Sequence, residues 1–125
     1  MERPEHLLQK HVCSYLRAKY PKVYFKSDTI SNIRLTNPQK AREKSLQHYK
    51  YACPDLMIVK CCHGYGGMFM ELKASTPFKK NRELKKDEHL QEQAETILQL
   101  QKEGYHAGFY WDYDTIKKYI DWYLS

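Results

Sequence analysis

Long apolar runs are missing from this chain. The longest spans a handful of residues, far short of a membrane crossing. No apolar stretch follows Met1-Glu2-Arg3-Pro4-Glu5, so a secretory signal is not expected. No C-x2-C pair occurs, and Cys13, Cys53, Cys61 and Cys62 are irregularly spaced. Reduced thiols in a cytoplasmic setting are therefore expected, in a bacterial cell or a phage-infected host. A zinc site would have to draw on Cys61, Cys62, His63 and a distant ligand, which leaves a small zinc-binding interaction domain as one open reading. No internal repeat and no second domain can be made out.

What is present suits one domain over residues 1–125, with 42% apolar and 14% aromatic residues to build a core. The net charge is +6, from 21 basic and 15 acidic side chains. The basic residues cluster in Lys40–Lys50 and Lys79–Lys86. A surface of that sign suits a polyanion such as nucleic acid, and equally a solvated face that keeps the chain soluble. Charge alone says nothing about catalysis.

Periodicity gives the coarse order. Residues 4–20 read as an amphipathic helix with Leu8, Val12, Tyr15 and Leu16 on one face and Pro21 as its stop. Val23–Phe25 reads as a strand. Residues 29–53 are polar and basic and read as a loop-rich arm, with a short helix possible around Gln39–Gln47. Asp55–Lys60 and Met68–Lys73 read as strands joined by the glycine turn His63–Gly67. Alternation puts Met68, Met70 and Leu72 on one side, and Phe69, Glu71 and Lys73 on the other. A basic linker, Pro77–Lys86, follows. Residues 87–103 read as a helix with Leu90, Ala94, Ile97 and Leu98 inward and Gly104 as its stop. Tyr105–Tyr110 is a fourth strand. A last helix starts at a cap, Asp112 or Asp114, and runs to Leu124 with Ile116, Ile120, Tyr123 and Leu124 inward. The order α-β-β-β-α-β-α predicts an α/β fold, a central sheet flanked by helices.

Two features of this plan carry chemistry. If the two hairpin strands pair around the glycine turn, Asp55 lies level with Glu71 and Lys73. Two carboxylates that close repel each other unless they share a divalent cation, and oxygen ligands favour Mg²⁺ or Mn²⁺. Polar residues also fall on inward helix faces, namely Glu5 with Gln9, and Gln93 beside Ile97 and Leu100. Such residues need partners, and a metal-binding strand end between the two helices would supply them. Taken singly, each has a plainer explanation. Glu5 suits a helix N-terminus, and a Glu-x-Lys on a strand is usually a surface ion pair.

Together these residues resemble the VRR-NUC (virus-type replication-repair nuclease) branch of the PD-(D/E)xK superfamily. The motif is Pro54-Asp55, fifteen residues, then Glu71-Leu72-Lys73. Glu5-His6-Leu7-Leu8-Gln9 is similar to the family's opening helix motif. Ala52-Cys53-Pro54-Asp55-Leu56 is similar to its Gly-Val-Pro-Asp-Leu. Gln93, eleven positions before Gly104-Tyr105, matches its glutamine and Gly-Tyr ending. The chain departs from the pattern where Ala52-Cys53 replaces the family's glycine, and where a longer, more basic linker follows Lys73.

The resemblance implies a restriction-endonuclease-like core with a mixed sheet, and a Mg²⁺- or Mn²⁺-dependent deoxyribonuclease. Asp55, Glu71 and the Leu72 carbonyl would hold the metal, with Glu5 as an outer or second-metal ligand. Lys73 would orient the attacking water or stabilise charge, and Gln93 would position Lys73 or the water. Arg34, Lys40, Arg42, Lys79, Lys80, Lys85 and Lys86 are expected to contact DNA phosphates. Stand-alone domains of this size resemble homodimeric Holliday-junction-resolving nucleases of DNA repair, recombination or replication, with flap cleavage as the near rival. A non-catalytic basic nucleic-acid-binding module that keeps the fold is the other open reading.

Overall fold

The computed structural model describes residues 4–28, 34–48 and 50–125. Eight elements follow in order: α1 (Pro4–Lys19), β1 (Tyr24–Ser27), α2 (Asn37–Leu46), β2 (Leu56–Val59), β3 (Met68–Leu72), α3 (Glu88–Lys102), β4 (His106–Tyr110) and α4 (Tyr113–Leu124). The strands form one sheet in the order β1-β2-β3-β4. The first two pairings are antiparallel and β3/β4 is parallel, so the sheet is mixed, as expected.

Alternation along the strands sorts the two faces. Leu56, Ile58, Met68, Met70 and Leu72 are buried against Val12 and Leu16 of α1 and Ile116, Ile120 and Tyr123 of α4. Each such side chain contributes roughly 1.5–3 kcal/mol on leaving water. α1 and α4 are also tied to each other by polar groups, since the Tyr15 and Tyr20 hydroxyls both donate to the Asp121 carboxylate at 2.6 Å. Lys19 completes that cluster at 3.1 Å from Asp121. On the other face of the sheet, α3 packs beside β4.

The helix ends follow their chemistry. Asp112, rather than Asp114, caps α4 by accepting from the Thr115 N–H, and Asp87 caps α3 through the Leu90 N–H. α3 stops at Gly104, whose φ of +95° is a left-handed conformation that glycine adopts without strain. The Tyr105 N–H reaches back to the Leu100 carbonyl and the Gly104 N–H to the Gln101 carbonyl, closing the last turn.

Two expectations are corrected, and the short helix possible around Gln39–Gln47 is present as α2. Leu98 does not face inward: it is 57% exposed, because α3 seats its Gln93–Thr96–Ile97 stripe on the sheet and Leu98 falls a further 100° round the helix. The segment Pro77–Lys86 is a small hairpin rather than a plain linker. Phe78 pairs with Leu84, the Lys85 N–H bonds the Pro77 carbonyl at 2.9 Å, and Arg82 turns the tip with φ +70°. Phe78 anchors it, edge-on to Phe109 and Trp111 at 5.9 and 5.8 Å. The arm between β1 and β2 carries a full helix, α2, started by a Thr36/Gln39 capping box, with none of its residues buried. Residues 29–33 and 49 of that arm lie outside the described residues.

Candidate active site

The β2/β3 register decides the site. Leu56 pairs with Met70, so Asp55, one residue before β2, comes opposite Glu71. An Asp55 carboxylate oxygen, Oδ2, accepts from the Leu72 N–H at 2.8 Å. The Asp55 carbonyl accepts from the Asp28 N–H at 2.8 Å, which fastens the end of β1 beside it.

Buried Gln9 of α1 clasps both strand ends. Its Nε2 lies 2.7 Å from the Asp28 carbonyl and 3.3 Å from the Asp55 carbonyl, and it also reaches the Ser27 hydroxyl. From the other side, the Thr96 hydroxyl of α3 accepts from the Ala52 N–H at 3.1 Å, holding the backbone that leads into Pro54-Asp55. Ser27, Asp28 and Thr96 were not singled out from sequence, and Gln9 entered only as half of a motif.

Glu71 is 2% exposed. Its Oε2 accepts from Gln93 Nε2 at 2.9 Å, and its Oε1 is buried with no hydrogen-bond partner. Burial, and then the neighbouring Asp55, push its carboxyl up to about 9. Burial also raises Asp55, opposed by the Leu72 N–H and by the Lys73 ammonium. The two carboxyls are close enough to share a proton. Gln93 is thereby placed on Glu71 rather than on Lys73, and its own Oε1 is buried and unpartnered.

Lys73 follows β3 directly. Its backbone N–H bonds the Tyr110 carbonyl at 2.8 Å, and its side chain is half-buried. Glu5, in the first turn of α1, is exposed and shares a cleft of about 240 Å³ with Lys73, Lys85 and His89. Its charge raises the Asp55 carboxyl, which puts Glu5 at the rim of the same site.

These residues fit a divalent cation. A buried carboxylate oxygen without a donor, next to a second carboxylate, is satisfied by a proton or by a metal ion. Among the described residues no three His, Cys, Asp or Glu side chains stand close enough to share an ion. The two acids that stand together here are Asp55 and Glu71. That is a frequent arrangement for Mg²⁺, which keeps much of its shell for water and phosphate. The alternative zinc cluster finds no such geometry: the His63 ring stacks on Trp122 at 4.6 Å, and its Nε2 bonds the Trp122 carbonyl at 2.8 Å.

The basic candidates lie in two places. Arg34, Lys40 and Arg42 are exposed on and just before α2. Lys79, Lys80, Lys85 and Lys86 are exposed on the hairpin that starts four residues after Lys73.

No protein-family model matches the sequence. No curated protein matches it either. Among solved structures, the chain superposes on a VRR_NUC domain protein with a TM-score of 0.67 and 23% identity, over 99% of this chain and 90% of that one. The α/β fold predicted from sequence is therefore the fold of a VRR_NUC domain, and the likeness runs through the whole chain. No helix among the described residues is long and apolar enough to cross a membrane.

Proposed function

We propose that the chain is a Mg²⁺- or Mn²⁺-dependent DNA endonuclease that selects its substrate by structure, in the manner of a junction-resolving or flap nuclease. The observation that carries this is the Glu71 carboxylate. It is held under α3, opposite Asp55 and two residues from Lys73, with one oxygen unpartnered. Burying an acid so incompletely partnered is costly to a core, which favours a role at the site.

Asp55 and Glu71, with the Leu72 carbonyl, would hold the ion, and Glu5 would bind its outer shell or a second ion. A bound divalent ion neutralises the scissile phosphate and makes an attacking water more acidic. The Lys73 ammonium would orient that water or offset charge on the phosphate. Gln93 fixes the Glu71 carboxylate in one orientation, and Gln9 fixes the strand end that carries Asp55. The lysines of the hairpin and of α2 contact backbone phosphates, which sets register without reading sequence.

A homodimer would offer two such centres to the two strands of a branch. Work of this kind belongs to DNA repair, recombination or replication, in bacterial or phage-infected cytoplasm. The testing experiment is cleavage of a panel of duplex, single-strand, flap and four-way DNA with Mg²⁺ or Mn²⁺. Metal-dependent cutting, strongest on branched DNA, supports the reading. Binding without cutting on every substrate would leave a non-catalytic nucleic-acid-binding module.

A further inference from the structure

β4 is an edge strand of the sheet, and α4 follows it almost at once. Between the two runs a groove in two parts. One part, of about 310 Å³, lies over Gly108 and Tyr110 and is walled by Trp111 and Tyr119. The other, of about 300 Å³, lies between His106, Lys118, Tyr119 and Trp122. His106 and Tyr119 line both, so the two parts adjoin.

Its rings are unusually open to solvent: Trp111 is 40% exposed, and Tyr119 and Trp122 are each 43%. Single exposed aromatics need no explanation, but a contiguous run of them marks a binding surface. The rings are held in place from behind. Tyr119 stands edge-on to Tyr110 at 5.4 Å, Trp122 leans on His106 at 5.6 Å, and Trp111 on Phe78 at 5.8 Å. Their ordering therefore precedes any binding event.

The Lys73 N–H bonds the Tyr110 carbonyl, and Trp111 is the next residue, so the groove begins at the same end of the sheet as Asp55 and Glu71, on the α4 face, while Glu71 is held against α3 on the other. From there it follows β4 away from the carboxylates. Its own lining carries one lysine, Lys118, and one carboxylate, Asp112, and the further positive charge comes from beside it. The hairpin bearing Lys79 and Lys80 abuts it through Phe78. The two nearby acids are engaged: Asp112 caps α4, and Asp114 pairs with Lys117 at 3.4 Å.

We infer that this groove holds an unpaired nucleic-acid strand, with bases stacked on Trp111, Tyr119 and Trp122 and phosphates met by Lys118 and the hairpin lysines. Aromatic platforms flanked by basic residues bind single strands because every base has a stacking face. The choice of nucleic acid rests on the nuclease reading above. Duplex bases are already stacked on each other, so the groove discriminates in favour of the open strand at a branch, which is a physical source of structure selectivity.

The chain has two tryptophans, and both lie in this groove, so intrinsic fluorescence reports on it directly. The test titrates an oligothymidylate, and separately a blunt duplex, into the protein in EDTA, where no cutting occurs. Saturable quenching by the single strand is expected. Trp111→Ala and Tyr119→Ala should each weaken it by about 5- to 150-fold, the equivalent of one lost base stack, with duplex binding little changed.

Gly108→Val gives an independent check. A Cβ there has the Tyr110 ring as its nearest neighbour, at 3.6 Å, an ordinary contact, and valine's two methyls add bulk to the groove floor; circular dichroism checks that the variant is folded. It too should weaken the single strand. Unchanged fluorescence, or wild-type single-strand affinity in all three variants, overturns the inference. So does a protein whose tryptophans become shielded with rising protein concentration while sedimentation shows a dimer, since a second copy would then cover the groove. Cleavage is scored in a separate Mg²⁺ or Mn²⁺ reaction. Quenching without any cleavage removes the nuclease reading and leaves the groove; cleavage without quenching does the reverse.

Discussion

Gln93 donates its amide to the Glu71 carboxylate at 2.9 Å, and both side chains are buried. The bond links the one face of α3 that touches the sheet to the one acid inside it. It leaves Glu71 Oε1 and Gln93 Oε1 both buried without a hydrogen-bond donor.

Gln93→Ala should therefore loosen the carboxylate without removing it. Groups that orient a metal ligand cost about 10- to 100-fold in metal affinity or activity when lost. Calorimetric Mn²⁺ titration of the variant checks this, with folding followed by circular dichroism. Wild-type Mn²⁺ affinity would reduce Gln93 to a packing residue.

The raised Glu71 carboxyl makes a statement about pH. It moves from an ordinary 4.5 to about 9 in the folded chain, so between those values the folded state binds more protons than the unfolded one. The stability it contributes is complete below about 4.5 and is lost as pH rises toward about 9. Metal-free protein should melt at progressively lower temperature across that window, and Glu71→Gln should flatten the slope. On the proposed reading Mg²⁺ or Mn²⁺ would take the place of the proton, so its stabilising effect should grow with pH. A Tm in EDTA that rises with pH in the wild type, and a Glu71→Gln variant of the same slope, would contradict the environment assigned to Glu71.

Glu5 is at the rim of the site and exposed, which separates two roles. As an outer ligand, its replacement by Gln should weaken cleavage most at low metal concentration. As a helix N-terminal acid alone, it should lower stability by under about 1 kcal/mol and leave metal dependence intact. Cleavage measured across a metal titration distinguishes them.

Removing charge from Lys79, Lys80, Lys85 and Lys86 together should weaken all DNA structures and flatten the fall of affinity with salt, because fewer counterions are released. An unchanged slope would move the phosphate contacts to α2 and its flank, around Arg34, Lys40 and Arg42.

The parts of this architecture that could be read from sequence are those fixed by short periods. Strand alternation put Glu71 opposite Met70 and Leu72 in facing, and the glycine turn set a register that brings Asp55 to its level. Helical spacing put Gln93 inward. The rest depends on partners far along the chain. Gln9 and Thr96 act on backbone groups 19 to 46 residues away, which no local pattern encodes. Leu98 was misplaced because a helical wheel defines a stripe but not which edge of it meets the sheet. The 77–86 hairpin was hidden because its basic composition looks like linker, and a single ring, Phe78, anchors it.

Metal-dependent cleavage by the wild type beside Asp55→Ala, Glu71→Ala and Lys73→Ala tests the proposed active site most directly. The expected result is cutting of branched DNA with Mg²⁺ or Mn²⁺ by the wild type. Each variant should lose about 10²- to 10³-fold or more, while far-UV spectra and DNA affinity in EDTA are retained. Cleavage at the wild-type rate by both Glu71→Ala and Lys73→Ala would contradict it.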